Sequence, residues 1–365
     1  MVRLKYGPNL FKLILILSVF YMTIFLIAEI TAVSMLIKYI SGTDLWITAL
    51  IVIVSSLVYT LYGGLRASLF TDKIQFIFLI FLLLITFSFL INFNSNEFSF
   101  NFVREKKPYL LSSNYLPNFT AGVTFFIAVA ATNLFHQGNW QRVYAAKNNK
   151  VLKKSLTLSL LIIIPIVFFM GFSGLVAVSS NIVSLPDLAF FQLLFKDQYI
   201  AISVIIVFLA ISLTVSSIDT IINAISSLII VDGKKILKFK NYNKLSKQII
   251  FFLSIISLYV ASKGFSILYL FLLADLFCCA AVISVFYGFY SNSFSEKNIF
   301  VSVIVGVIAG LFIFPSPDFS RSLLFGIIIP IKFIPEFARE SMLFLSFLAA
   351  TFVPLSTYKL HKKKN

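Results

Sequence analysis

A chain of 365 residues that is 59% hydrophobic and only 12% charged is not a soluble domain, in which roughly a quarter of residues carry charge. Its net charge of +16 raises nucleic acid as a partner, but 21 of the 30 lysines and arginines fall in segments that alternating spans would place on one side, the positive-inside pattern of a polytopic membrane protein. No metal-ligand cluster, nucleophile–base pair or phosphate-binding loop is legible, which sets aside a membrane enzyme.

Ten apolar spans can be drawn in chain order: 11–39, 45–61, 69–91, 121–135, 156–177, 201–231, 249–261, 268–290, 299–314 and 341–358. The first follows Arg3 and Lys5 as a signal peptide would. At almost thirty residues, and without a small-residue cleavage site, it reads as a retained span. Gly63-Gly64 between the second and third spans permits a tight reversal, with Thr71 capping the next helix and Asp72 complementing its dipole. The connection carrying Arg142, Lys147, Lys150, Lys153 and Lys154 is expected to be cytoplasmic, as is that with Lys234, Lys235, Lys238, Lys240, Lys244 and Lys247. Alternation then places both chain ends inside, including Lys362-Lys363-Lys364. For that reason 322–334, short and interrupted by Pro330 and Lys332, reads as an interfacial piece rather than a span.

Two outside connections are long. Residues 92–118 read as a polar and aromatic loop. Residues 179–198 hold Ser184 and Asp187 as candidate caps, Pro186 for a first turn, and Leu188, Phe191, Leu194 and Phe195 at helical spacing, which predicts a short amphipathic helix over the extracellular mouth. Cys278 and Cys279 are adjacent in an apolar run with no histidine near in sequence and read as packing residues. His361 belongs to the basic tail.

Glu29, Asp72, Asp219 and Asp275 lie in or at the edge of stretches greasy enough to cross a bilayer. A carboxylate there costs several kcal/mol unless it pairs or faces water, so each is a functional candidate. Asp219 sits in Ser216-Ser217-Ile218-Asp219-Thr220. At 3.6 residues per turn Ser216, Thr220, Asn223 and Ser227 make one polar stripe with Ser217 beside it. A lone hydroxyl usually bonds back to its own helix, but so dense a run beside a carboxylate can replace the water shell of a small hard cation. Asn133-Leu134-Phe135-His136-Gln137-Gly138-Asn139-Trp140-Gln141-Arg142 reads alone as an interfacial belt ending in a positive-inside arginine. Asn133 and His136 are alternatively candidates to line a permeation path.

At these motifs the chain resembles the sodium:solute symporter family. The pattern Tyr-Thr-x-x-Gly-Gly-Leu-x-Ala-x-x-x-Thr-Asp-x-x-Gln is matched from Tyr59 to Gln75, Gln-Arg-x-x-Ala-Ala-Lys from Gln141 to Lys147, and the serine run with its terminal aspartate from Ser216 to Asp232. Residues 135–147 with Ala274-Asp275-Leu276 look nearest to urea and proline carriers. The resemblance implies an all-α, LeuT-like fold of two inverted five-helix repeats with sites near the midplane. It implies a sodium site built from the Ser216 and Ser217 hydroxyls and the Leu213 carbonyl. Asp72 would influence sodium binding and release. Substrate contacts would come partly from the helices at 121–135 and 268–290, with Asn133, His136, Asp219, Thr220 and Asp275 as pathway candidates. The solute would be small and polar, of the proline, urea, sugar or carboxylate class.

One departure stands out. The chain begins, at Met1-Val2-Arg3-Leu4-Lys5-Tyr6-Gly7, where the family's segment before its third core helix would lie. The first two core helices are expected to be missing, leaving about ten spans. Residues 1–365 would form one membrane domain, with 10–291 as core helices three to ten and 292–365 as peripheral helices and a basic tail. Alone, this polypeptide is expected not to transport, because half the sodium ligands and much of the substrate cavity are absent; sodium-dependent uptake by residues 1–365 in proteoliposomes would overturn that. Proton coupling through Asp72, Asp219 or His136, and a non-transporting sensor or regulatory subunit, are the rival readings.

Overall fold

The computed structural model describes residues 2–92, 99–195, 200–236, 238–290, 295–324 and 341–362. Among them the chain is helical almost throughout, as segments need to be when lipid offers their backbone no hydrogen bonds. We number the helices α1 (Val2–Tyr6), α2 (Pro8–Ser41), α3 (Leu45–Asn92), α4 (Phe100–Lys106), α5 (Leu116–Phe135), α6 (Gln137–Ala145), α7 (Asn149–Ser179), α8 (Ala189–Phe195), α9 (Ile200–Ser227), α10 (Tyr242–Ala261), α11 (Ile267–Tyr290), α12 (Glu296–Ile313) and α13 (Met342–Lys362). Seven are long and apolar enough to cross a membrane among the described residues, which makes this an integral membrane protein.

Two helices form the centre. The apolar windows of α2 and α11 are 56% and 61% buried within the protein, against 17–28% for the other candidate spans. Around this pair, α2 packs on α3, α9 and α10, α3 on α9, and α11 on α5, α12 and α13. At the other extreme, the outer face of α7 exposes Leu156, Leu158, Leu160, Leu161, Ile163 and Ile164, as a surface bathed in lipid requires. Hydroxyls buried along α2 return to their own helix: Thr23 to the Val19 carbonyl, Thr31 to Ile27 and Ser34 to Ile30.

Small residues let α12 approach its neighbours closely. A β-carbon placed on Gly306 would lie 2.9 Å from the Ala350 carbonyl oxygen and 3.1 Å from that of Ala280, and one on Gly310 would lie 2.8 Å from Ala350 Cβ. Ser346 on α13 uses the space to donate to the Gly310 carbonyl at 2.8 Å. The start of α2 is tied to this end of the chain. Glu296, in the first turn of α12, accepts from the free N–H groups of Asn9 (2.5 Å) and Leu10 (3.0 Å), and Tyr6 donates to the Val285 carbonyl on α11 at 2.6 Å.

The structure departs from the sequence expectations in four places. Spans 45–61 and 69–91 are one helix, α3, which runs through Gly63-Gly64 without a turn. Glycine permits a reversal but does not impose one, and the helical bonds satisfy the backbone where water is scarce. Thr71 is therefore mid-helix and caps nothing. In the 92–118 connection, α4 and a 3-10 turn at Pro108–Leu111 replace part of the loop. The amphipathic segment is present as a 3-10 turn at Pro186–Leu188 followed by α8, with Leu188 and Leu194 buried, but Asp187 caps a different helix: it accepts from the N–H groups of Ile267 and Leu268 at the start of α11, both at 3.2 Å. Ser184 instead accepts from Gln192 Nε2 at 2.6 Å. The piece at 322–334 falls largely outside the described residues.

Candidate cation and solute sites

Thr71 and Asp72 on α3, Ser216, Asp219 and Thr220 on α9, and Arg142 on α6 meet in one polar ring. Ser216 Oγ donates to Asp72 Oδ1 at 2.9 Å. The other carboxylate oxygen, Oδ2, takes a 2.8 Å salt bridge from Arg142 Nη2, which also donates to Thr220 Oγ1 at 3.1 Å. Thr220 Oγ1 reaches Asp219 Oδ1 at 3.3 Å, and Thr71 Oγ1 reaches Asp219 Oδ2 at 3.4 Å. Helical spacing explains the set: α3 offers consecutive residues at its meeting with α9, while Ser216 and Thr220 stand one turn apart. Gln75, a turn beyond Thr71, donates to the Ser212 carbonyl at 3.1 Å and fixes the register of the two helices.

The serine pair diverges. Ser216 faces α3, whereas Ser217 projects about 100° further round the helix. Leu213 lies in the regular part of α9, which first departs from α-helix at the π-turn Leu228–Asp232. Asp219 is fully buried, and Asp72 keeps a quarter of its side chain exposed. Three hydroxyls and two carboxylates within one ring can replace the hydration oxygens of a hard monovalent ion.

A second polar cluster lies between α2, α5 and α11. Buried Asp275 accepts from Thr132 Oγ1 at 2.6 Å. Beside it, Tyr21 and Phe25 of α2 stand edge-on to His136, with ring centroids 6.3 and 6.4 Å away. A small cavity lined by Ser18, Tyr21, Phe135 and Cys278 opens alongside. His136 joins the two clusters: a β-carbon on Gly138 would touch His136 Cε1 at 2.8 Å and Thr220 Cγ2 at 2.9 Å.

Asn133 is not brought into either cluster. It is exposed, donates to the Val129 carbonyl at 2.8 Å and accepts from Asn139 at 2.8 Å, fastening the bend between α5 and α6. Conversely, the belt reading of Arg142 missed its contact with Asp72. Thr71 and Gln75 lay inside the Tyr59–Gln75 pattern, whereas Tyr21 and Thr132 had no sequence mark.

Known proteins place the chain. Residues 1–306 match the profile of the sodium:solute symporter family. The spermidine transporter DUR31 of Candida albicans is 26% identical over 299 residues, a match covering 80% of this chain and 56% of that protein. The chain thus spans little more than half the length of this curated relative. Among solved structures, a Na+-coupled sialic acid symporter in its substrate-bound outward-open state aligns with a TM-score of 0.56 at 18% identity, over 97% of this chain and 76% of that one. This likeness establishes the LeuT-like helical fold expected from the motifs.

Proposed function

Because the chain belongs to the sodium:solute symporter family, we propose that it carries sodium ions and a small polar solute together across the bilayer by alternating access. The observation that carries this reading is the Ser216–Asp72 contact, which brings a hydroxyl of α9 and a carboxylate of α3 within 2.9 Å. Thr71, Asp219 and Thr220 add oxygens around it. A sodium ion settling there draws on the Ser216 lone pairs and the Asp72 charge, then leaves along the exposed edge of Asp72. Each charge that crosses inward gains about 2.3 kcal/mol per 100 mV, which is the work available for accumulating solute.

In this reading the lysine clusters after Arg142 and after Asp232 face the cytoplasm, both chain ends lie inside, and the host is the plasma membrane. The solute range includes the proline, urea, sugar and carboxylate classes, and the fungal spermidine transporter adds polyamines to it. His136 and Asp275 lie along the solute path.

Binding of sodium-22 to the purified chain in nanodiscs tests the proposal. Replacement of Ser216 and Ser217 together by alanine, or Asp72→Asn, is expected to weaken binding at least tenfold. Equal binding in all three would end the sodium reading and reduce the hydroxyls to helix packing.

A further inference from the structure

Tyr21 and Phe25, a turn apart on α2, Phe271 and Asp275, a turn apart on α11, Thr132 on α5 and His136 at the bend that follows α5 come together in one place. Four of the six are aromatic, joined edge to face through Phe25, whose ring lies 4.8 Å from Phe271 and 5.9 Å from Tyr21. The remaining two are the hydrogen-bonded pair Thr132 and Asp275. We propose that this site recognises the ammonium group of an organic cation, with Asp275 as its counter-charge and the aromatic rings as its wall. The proposal deepens the symport reading, on which it rests, by naming the class of solute.

Three observations support it. First, Asp275 is only 6% exposed, and among the described residues no lysine or arginine lies within ion-pair distance of it. A charged carboxylate so placed calls for a cation, and Thr132 supplies a single hydroxyl. Second, Tyr21 Oη and His136 Nδ1 are buried and have no hydrogen-bond partner among the described residues, although such atoms are nearly always satisfied. Third, the composition suits an alkylammonium better than a bare metal ion. An ammonium head has three N–H donors and no acceptor, matching a carboxylate, a phenol oxygen and an imidazole nitrogen. Its alkyl part and spread charge are stabilised by ring faces, whereas sodium requires a fuller shell of oxygens than the rings leave.

The test is equilibrium binding of radiolabelled butylamine to the full chain in nanodiscs, with 1-butanol as the uncharged twin and sodium-22 binding measured separately on the wild-type protein. Saturable butylamine binding that butanol does not displace is expected. Asp275→Asn should weaken it at least tenfold and Thr132→Val about threefold, in samples shown by thermal unfolding to be folded. If Asp275→Asn does not fold, the Thr132→Val result decides. The proposal is overturned if wild-type protein binds no butylamine, if butanol competes equally, or if the folded variants bind as wild type does. A wild-type protein that binds butylamine but no sodium-22 upholds this site and rejects the sodium reading, so the two failures are distinct.

Discussion

Arg142 and Asp72, seventy residues apart, are joined at 2.8 Å across the meeting of α6 and α3, and the same guanidinium nitrogen holds Thr220 on α9. The arginine thus occupies one oxygen of the carboxylate whose other oxygen faces Ser216. A protein cation and a transported cation would draw on one charge.

Arg142→Gln is expected to raise sodium affinity about fivefold, because the pair is partly exposed and its electrostatic worth is on the order of 1 kcal/mol. The same change should lower stability by a similar amount. Sodium-22 titration and thermal unfolding would measure both; an affinity that stays equal or falls would show that the arginine supports the ion rather than competing with it.

The divergence of the serine pair gives a second expectation. Coupling between Ser216→Ala and Asp72→Asn in a double-mutant cycle on sodium binding should reach about 1 kcal/mol, whereas Ser217→Ala with Asp72→Asn should be additive. Equal coupling for both serines would mean that they turn to one ion.

Gly138→Ala should be costly for a reason unconnected with helix propensity. Its new methyl would meet the His136 ring and the Thr220 methyl at under 3 Å, and overpacking of this kind costs roughly 1–3 kcal/mol. Gly306→Ala should cost as much, since the obstacle there is the Ala350 backbone carbonyl. Melting temperatures of the two variants, compared with alanine at open Gly122, check this; three equal values would refute the close approaches.

At the other end of the site, Asp187→Ala removes the acceptor for two N–H groups at the start of α11, with a loss of about 1 kcal/mol. Hydrogen exchange should accelerate at Ile267 and Leu268 and leave α8 itself nearly unchanged. Faster exchange confined to 186–195 would restore the reading in which Asp187 caps its own helix.

How much of this was legible beforehand depended on range. Apolar runs set the spans because lipid demands long uncharged helices, and eight of the ten expected spans have their own helix. Gly63-Gly64 misled because a pair of glycines signals only freedom, and the choice between turn and helix rests on packing that spacing does not encode. Ser216 and Thr220 could be singled out on a polar stripe, and Asp219 as a carboxylate within the same run, but not that Thr71 and Arg142 complete their ring. A guanidinium in a connecting segment looks the same whether it faces water or folds back onto a carboxylate seventy positions earlier. Asp187 failed likewise: a sequence shows the N–H groups next to an aspartate, not those eighty residues downstream.

The carboxylate of Glu296 seated on the amino end of α2 also fixes a schedule for biogenesis. Asn9 emerges first and its capping oxygen arrives 287 residues later. At roughly 5–20 residues per second, the ribosome leaves that helix end unmet for about 15–60 s. Insertion of α2 thus precedes, by about 15–60 s, the contact that locks it, and membrane chaperones have that interval in which to hold it.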